Sequence, residues 1–179
     1  MPDLEIEITP VSVDDIRDIQ GVFYTVWLAT YPNDEHGITV DDLKYRYRDM
    51  FTPETLEKRR KMIREKTNNE LFLVAKNLDK VVGVCYAEKD ATRNELRAMY
   101  VLPQFQRKGI GALFWKEAQN FFNHSKDIAV NVVVYNSNAI NFYKGLGFID
   151  TGKRFTEERF RMRNGSIMPE MEMVIRAGE

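Results

Sequence analysis

The chain has 179 residues, of which 44% are hydrophobic and 12% aromatic, so it is long and apolar enough to form one domain with a full core. Its 26 Lys and Arg balance 27 Asp and Glu, and the formal charge of -1 gives no basic excess for binding nucleic acid. No apolar run approaches the ~20 residues of a membrane span, and the acidic start MPDLEIEI lacks the order of a signal peptide. We therefore expect a cytoplasmic protein with no nucleic-acid or membrane partner.

The N-terminal third predicts one strand followed by three helices. Alternation of polar and apolar residues from Glu5 to Val11 indicates the strand. Ser12 to Asp15 has the S-x-x-D pattern of a helix start, and that helix should end near Tyr31-Pro32, because the residue before proline resists the helical conformation. Two more helices are predicted to begin at the caps Thr39 and Thr52.

The middle of the chain predicts an antiparallel meander and then a helix. Its three strands are Glu70 to Lys76, Lys80 to Glu88 and Glu95 to Leu102, joined by short turns. The helix begins after a loop with two glycines and should end near His124. The β-branched run from Asp127 to Tyr135 indicates the next strand.

The last quarter predicts a short helix and a hairpin. Ser137 is the predicted cap of the helix, and Phe148 onward should be extended. Asn164-Gly165 is a strong hairpin signal between two strands, and Pro169 indicates an edge or strand-start position. The whole order, βααα-βββ-α-β-α-ββ, predicts one α+β domain over residues 1–179 with a mixed sheet.

The two-glycine loop, Gln106 to Gly111, is a candidate anion site. A helix start leaves several N–H groups unpaired and pointing one way, and together with the helix dipole they can seat a pyrophosphate. Gly109 and Gly111 have no Cβ, so phosphate oxygens could come close. The alternative is a tight turn without a ligand. The spacing is neither the three-glycine dinucleotide fingerprint nor a P-loop.

A second block, Asn136 to Phe148, reads NSNAINFYKGLGF. The two blocks together resemble the Q/R-x-x-G-x-G/A and N-x-x-A-x-x-F-Y-x-x-x-G-F segments of the GCN5-related N-acetyltransferases, the GNAT family. The resemblance implies the GNAT fold, a single mixed, mostly antiparallel sheet flanked by helices. It also implies that the strands Glu95 to Leu102 and Asp127 to Tyr135 splay apart, with the acetyl-thioester arm of acetyl-CoA in the gap.

The same resemblance implies the residues that bind acetyl-CoA. The strand backbone should pair with the pantetheine amides, the loop should hold the pyrophosphate, an asparagine should bind the pantetheine arm, and a lysine should reach the adenosine phosphate. Arg107 and Lys108 could instead be an ordinary solvated pair. The implied set is Met99, Tyr100, Val101, Gln106, Arg107, Lys108, Gly109, Ile110, Gly111, Ala112, Asn138, Tyr143 and Lys144.

The chemistry of acetyl transfer to an amine needs a neutral nucleophile and a proton for the departing thiolate. No Ser-His-Asp set is visible, and Cys85 lies in the apolar run VVGVCYA, which favours core packing over a nucleophilic role. Direct attack in a ternary complex is therefore the simpler mechanism. Cys85 and the two histidines have no metal-site spacing, so no metal is expected.

Tyr143 is the candidate general acid, since a phenol with a pKa near ~10 is protonated at neutral pH. Periodicity alone would make it a core tyrosine, but the resemblance places it where many relatives have a tyrosine that faces the coenzyme sulfur. Glu95 and Glu88 are the candidate bases, each acting through water. Each is equally well a solvated carboxylate at the end of a strand.

The acceptor amine should bind in the N-terminal third. Trp27 and Tyr31 are aromatic, and Asp34 and Glu35 follow closely, which is a suitable lining for a linear polycation. An ordinary polar loop is the alternative. Within the family, W-x-x-T-Y-P looks most like the PaiA-type polyamine acetyltransferases, which implies spermidine or spermine as the acceptor. The rivals are acetylation of a protein N-terminus or lysine, and a non-catalytic acyl-CoA-binding regulator. Monomer and homodimer both stay open.

Overall fold

A seven-stranded sheet organises residues 5–178, the part of the chain that the computed structural model describes. Residues 1–4, the first half of the acidic start, lie outside the described residues, as does residue 179. The strands are β1 (Ile6–Pro10), β2 (Glu70–Asn77), β3 (Lys80–Lys89), β4 (Asn94–Val101), β5 (Ile128–Val133), β6 (Ile149–Arg161) and β7 (Ile167–Ile175). The helices are α1 (Ile16–Thr30), α2 (Val40–Arg46), α3 (Pro53–Arg64), α4 (Ile110–Phe121) and α5 (Ser137–Gly145).

The spatial order of the strands is β1-β2-β3-β4-β5-β7-β6, and the β4–β5 pair is parallel while the other pairs are antiparallel. The prediction of an α+β fold with a mixed, mostly antiparallel sheet is therefore confirmed. No helix within residues 5–178 is both long enough and apolar enough to cross a membrane.

The predicted helix starts are confirmed in the N-terminal third. Ser12 and Asp15 form a capping box, in which the Ser12 N–H donates to Asp15 Oδ2 at 2.8 Å. One 3₁₀ turn follows the cap before α1 begins. Thr39 caps α2 and Thr52 caps α3, each by accepting a bond from a backbone N–H of the first turn. α1 ends at Thr30, as the following Tyr31-Pro32 predicts.

One detail of the last quarter differs from the prediction and two agree with it. The side chain of Asn136, not Ser137, caps α5, because it accepts from the Ala139 N–H at 3.2 Å. β6 begins at Ile149, which agrees with the extended chain predicted from Phe148 onward. Pro169 lies near the start of β7, as predicted, but β7 is an interior strand. The missing N–H of Pro169 is tolerated because the regular pairing with β6 is interrupted there, between Thr156 and Arg161.

The predicted splay is confirmed at the centre of the sheet. β4 and β5 pair only where Asn94–Leu96 meets Ile128–Val130. Beyond Leu96, β4 has no residue of β5 opposite it, and we call this opening the β4–β5 gap. A β-bulge at Arg97 accompanies it, because Tyr86 pairs with Ala98 while Ala87 pairs with Leu96.

The sheet has two covered faces. On the α4 face, Leu96, Cys85 and Met171 pack against α4 and α5. On the α1 face, Val133 and Met168 pack against the end of α1. The β4–β5 gap joins the two faces, so a ligand in the gap can be reached from both.

Candidate active site

The loop before α4 leaves the start of that helix without a side-chain cap. Gly109 is the N-cap residue, with φ +84°, and no side chain of residues 5–178 caps the first turn. Gln106 Nε2 donates to the carbonyl of Val101 at 2.9 Å, which fixes the loop to the end of β4. Arg107 also has a positive φ, of 59°. The backbone is thus held in a form that keeps helix N–H groups available for an anion.

Glycine is favoured at the two positions of the loop for different structural reasons. A Cβ on Gly109 would meet nothing in the described chain within 4 Å, so its left-handed φ is what favours glycine there. A Cβ on Gly111 would lie 2.9 Å from Cζ of Phe142. Gly111 therefore lets α4 pack closely on α5. Its expected second role, in allowing a phosphate to approach, stays a prediction.

The other loop residues of the predicted set surround this helix start. Arg107, Lys108 and Ala112 are exposed, whereas Ile110 is buried and anchors the first turn of α4 in the core. The two cations can therefore approach a bound phosphate from solvent. Lys108 Nζ lies 5.2 Å from the centre of the Phe105 ring, so it is not fully free of protein contacts.

The edge of β4 that faces the gap includes Met99, Tyr100 and Val101, all of them beyond the last β4–β5 pair. The Leu102 N–H donates to Val82 of β3, and by the alternation of the ladder the backbone groups of Tyr100 point to β3 as well. The Val101 carbonyl accepts from Gln106, so the backbone of Met99 and the N–H of Val101 are left for a ligand in the gap. An unpaired strand edge beside an uncapped helix start fits a molecule that has amides followed by a pyrophosphate. The site therefore fits acetyl-CoA by an arrangement of backbone groups.

Tyr143 lies in the second half of α5, buried with 7% exposure, and its ring contacts Phe142 and Phe148 edge to face. Burial raises the pKa of Tyr143, and the nearby Tyr100 and Cys85 add to the rise. The phenol therefore holds its proton at neutral pH, as a general acid requires. Its role as the acid remains a prediction.

The two remaining coenzyme residues of the prediction lie on α5. Asn138 is exposed in the first turn and Lys144 is exposed in the last turn. A helix rises about 1.5 Å per residue, so these two side chains begin roughly 9 Å apart along the axis. They could reach different parts of a ligand, and both assignments remain predictions.

Three tyrosines approach one another across the gap. Tyr31 and Tyr100 have their hydroxyl oxygens 3.5 Å apart on the α1 face. Burial raises the pKa of Tyr31, and Tyr100 and then Tyr143 add to that rise. Tyr143 belongs to the cluster on the α4 face, whereas Tyr31 and Tyr100 belong to the α1 face, so phenols that stay neutral lie on both sides of the sheet.

Cys85 is fully buried in β3 on the α4 face, and burial raises the pKa of its thiol to about 12. A thiol in that state is protonated at neutral pH and is a poor nucleophile. This supports direct attack over a covalent acyl-cysteine. Within residues 5–178, no three His, Cys, Asp or Glu side chains come together as metal ligands.

The two predicted bases, Glu88 and Glu95, face each other across the β3–β4 pair. Both are already engaged. Arg97 forms ion pairs with Glu88 at 3.2 Å and with Glu95 at 2.7 Å. The Tyr86 hydroxyl donates to Glu88, and Arg93 lies 3.3 Å from Glu95. Both lie in the part of the sheet where β4 still pairs with β5, before the gap opens after Leu96. Neither is therefore a free carboxylate at the opening of the gap.

The four predicted acceptor residues separate into two groups. Trp27 and Tyr31 are buried, at 5% and 6% exposure, and belong to the cluster on the α1 face. Asp34 and Glu35 are exposed in a 3₁₀ turn just beyond α1. The guanidinium of Arg46 lies 5.4 Å from the Trp27 ring centre, so one side of the indole already contacts a cation.

Glu170 of β7 was absent from the sequence prediction. It is only 5% exposed, and its Oε2 has no hydrogen-bond partner among the residues that the structure describes. Asn131 Oδ1 on the α1 face and Thr9 Oγ1 on β1 also have no partner among the described residues. The one sequence signal was the alternation of Met and Glu in MPEMEM, which puts Glu170 and Glu172 on the same face of the strand.

Comparison with known proteins agrees with this geometry. The family model described as acetyltransferase (GNAT) domain matches residues 38–173. The PaiA N-acetyltransferase of Thermoplasma acidophilum, solved with coenzyme A, is 22% identical with a TM-score of 0.68, covering 94% of this chain and 98% of its own.

Two more solved structures have the same fold. The ribosomal-protein-S18-alanine N-acetyltransferase of Escherichia coli is 13% identical with a TM-score of 0.62, covering 98% of this chain and 96% of its own. NAA60 of Arabidopsis thaliana, solved with a bisubstrate analogue, is 12% identical with a TM-score of 0.66, covering 96% and 98%. Identities this low show a shared fold and do not identify the acceptor. The family match covers most of the chain, and this chain therefore belongs to the GNAT family of N-acetyltransferases, with acetyl-CoA as the acetyl donor.

Proposed function

We propose that this enzyme acetylates a primary amine of spermidine or spermine by direct attack in a ternary complex. The observation that carries the proposal is the tie between the β6–β7 hairpin and the connection between α1 and α2. The exposed carboxylates Asp34 and Glu35 lie on that connection. A narrow, linear, polycationic amine suits such a site better than a folded protein substrate.

The tie between hairpin and helices is made at the hairpin turn. Asn164 Nδ2 donates to the Gly37 carbonyl at 2.8 Å and to Asp42 Oδ2 at 3.0 Å. Gly37 is packed so closely that a Cβ there would lie 2.6 Å from Ser166 Oγ. A peptide acceptor would need an open groove, whereas these contacts hold the hairpin turn against the α1–α2 connection.

Negative charge near this region supports a cationic acceptor. Asp34 and Glu35 are exposed on the tied connection, whereas the carboxylate of Glu157 on β6 is already paired with Arg159. Arg46, which lies over Trp27 and Phe160 at 5.4 Å from each ring centre, indicates that these rings can accept a cation. A polyamine could replace such contacts while its distal ammonium groups meet the carboxylates.

The residues on the α4 face support the chemistry. Bound acetyl-CoA supplies an activated acetyl thioester. Tyr143, kept neutral by burial, can give its hydroxyl proton to the departing sulfur. Cys85, with its protonated thiol, has no covalent role in this scheme. The backbone edge at Met99 and Val101 would hold the pantetheine arm in the gap.

The test is a thiol-release assay with acetyl-CoA and a panel of acceptors. We expect kcat/KM for spermidine and spermine to exceed that for a simple monoamine and for an N-terminal peptide. A peptide that matches the polyamines would favour protein acetylation instead. Coenzyme binding without thiol release to any amine would favour the acyl-CoA-binding regulator.

A further inference from the structure

Two buried polar atoms on the α1 face have no partner within the described part of the chain: Asn131 Oδ1 and Glu170 Oε2. Leaving such a group unpaired costs free energy, so two on one face of neighbouring strands indicate a site that a polar ligand completes. Glu170 is the ionisable member. A role for Glu170 goes beyond the proposed function, because it concerns acetyl transfer to any amine.

The register of the sheet gives the direction of the Glu170 side chain. Glu170 pairs with Val133 across β5 and β7, and directly paired residues point to the same face. Val133 packs with Trp27 and Tyr31 on the α1 face. The Glu170 carboxyl therefore lies on the α1 face, on the opposite side of the sheet from Cys85 and the core of α4.

Glu170 lies one strand away from the β4–β5 gap, because its partner Val133 lies beyond Val130, the last residue of β5 that pairs with β4. Burial raises the pKa of Tyr100, and the charge of Glu170 raises it further, whereas Tyr31 and the Trp27 indole lower it. Glu170 is thus within electrostatic range of the β4 residue that lines the gap. Its Oε2 accepts no hydrogen bond from residues 5–178, while Glu88 and Glu95 are bound by arginines.

We infer that Glu170 is the general base of the reaction and takes a proton from the acceptor amine on the α1 face. The ammonium of the acceptor gives one proton to Glu170 Oε2, and the neutral nitrogen then attacks. As the N–C bond forms and the C–S bond breaks, Tyr143 gives its proton to sulfur and regains the second proton of the nitrogen. Glu170 returns its proton to water, so the net products are an amide, a thiol and one proton.

The environment of Glu170 suits a base that works near neutral pH. Burial raises the pKa of Glu170 to about 7, and Glu157 and Glu95 add to the rise while Arg159 opposes it. Its pairing partners are the uncharged Val133 of β5 and Phe155 of β6. The charged groups that act on it are Glu157 and Arg159 from β6 and Glu95 from β4. A base with a pKa close to the working pH transfers protons most effectively.

The test compares Glu170→Gln with the matched control Glu172→Gln. Glu172 lies two residues along the same face, but Arg93 binds it at 2.8 Å and Lys153 at 3.6 Å. With the best amine of the panel, Glu170→Gln should lower kcat about 10²-fold or more. It should also abolish the fall of kcat/KM on the acid side of pH 7, whereas Glu172→Gln should keep both within about twofold, a margin far below general-base effects.

A second measurement does not depend on turnover. The pKa of Glu170 is higher in the folded than in the unfolded chain, so ionising it weakens the fold as pH rises towards 7. Urea unfolding should therefore show that Glu170→Gln gains stability over the wild type between pH 5 and 8, and that Glu172→Gln does not.

The outcomes separate the two proposals. Equal kcat and an unchanged acid limb in Glu170→Gln would overturn the inference, and so would identical pH dependence of unfolding in that variant and the wild type. A loss of rate in Glu170→Gln with any amine, spermine or not, would support it. Failure of spermidine and spermine as acceptors would overturn only the polyamine assignment.

Discussion

Replacing Gly109 by alanine should weaken coenzyme binding while the protein still folds. Its φ of +84° lies in the left-handed region, which costs an L-residue about 1–2 kcal/mol. A Cβ there would meet nothing within 4 Å in residues 5–178, so Gly109→Ala adds strain without a clash. The cap turn can relieve that strain by rotating, which would turn the first N–H groups of α4 away from a bound pyrophosphate.

We expect Gly109→Ala to lose about 1–2 kcal/mol of unfolding free energy in urea. Its affinity for coenzyme A should fall about tenfold by calorimetry, since roughly 1.4 kcal/mol corresponds to a factor of ten. The measurement pairs the two assays on the same protein preparation.

Gly152→Ala is the matched control. Gly152 has φ +81°, and a Cβ on it would likewise have no neighbour within 4 Å in the described chain, but it lies on β6 away from the loop. It should lose similar stability and keep wild-type coenzyme affinity. If Gly109→Ala also binds coenzyme A like the wild type, the helix start does not hold the pyrophosphate and the argument from its free N–H groups fails.

Three further variants test the remaining assignments. Tyr143→Phe removes only the acidic proton, so kcat should fall roughly 10²–10⁴-fold with unchanged coenzyme affinity; a fall below about twofold would make it a packing residue. Cys85→Ala should cost about 1 kcal/mol of stability and leave kcat unchanged, and a large loss of kcat would revive a covalent route. Asp34→Asn with Glu35→Gln should raise KM for spermine more than for a monoamine, and equal effects would make these carboxylates ordinary surface.

The parts of the fold that the sequence predicted are those with local causes. Ser12, Thr39 and Thr52 act as caps through bonds within three residues, so their signal is complete in the sequence itself. The hairpin at Asn164-Gly165 is equally local, and Gly165 has the positive φ of 92° that such a turn requires. The cap of α5 shows where such local prediction fails. Asn136 and Ser137 are adjacent and both are good cap residues, so the sequence alone does not decide between them.

The side-chain directions of β4 could not be predicted in the same way. Simple alternation from Leu96, which points to the α4 face, would put Tyr100 on the α4 face too. The bulge at Arg97 reverses the alternation, so Tyr100 reaches the α1 face, where its ring centre is 5.1 Å from that of Phe23. Bulges depend on pairing between strands, and no local signal in LRAMYV marks this one.

Glu170 was missed for a related reason, since its burial depends on the tertiary fold. A Glu in an alternating strand usually points to solvent, and Glu170 would do so if β7 were exposed on its α1 face. Instead, β7 lies between β5 and β6, and the end of α1 covers the neighbouring Val133 and Met168. The same arrangement puts Tyr143 on one side of the β4–β5 gap and Glu170 on the other. Because the sheet separates them, the proposed acid at the sulfur and the proposed base at the amine have different environments. Burial keeps the phenol of Tyr143 neutral and raises the pKa of the Glu170 carboxyl to about 7.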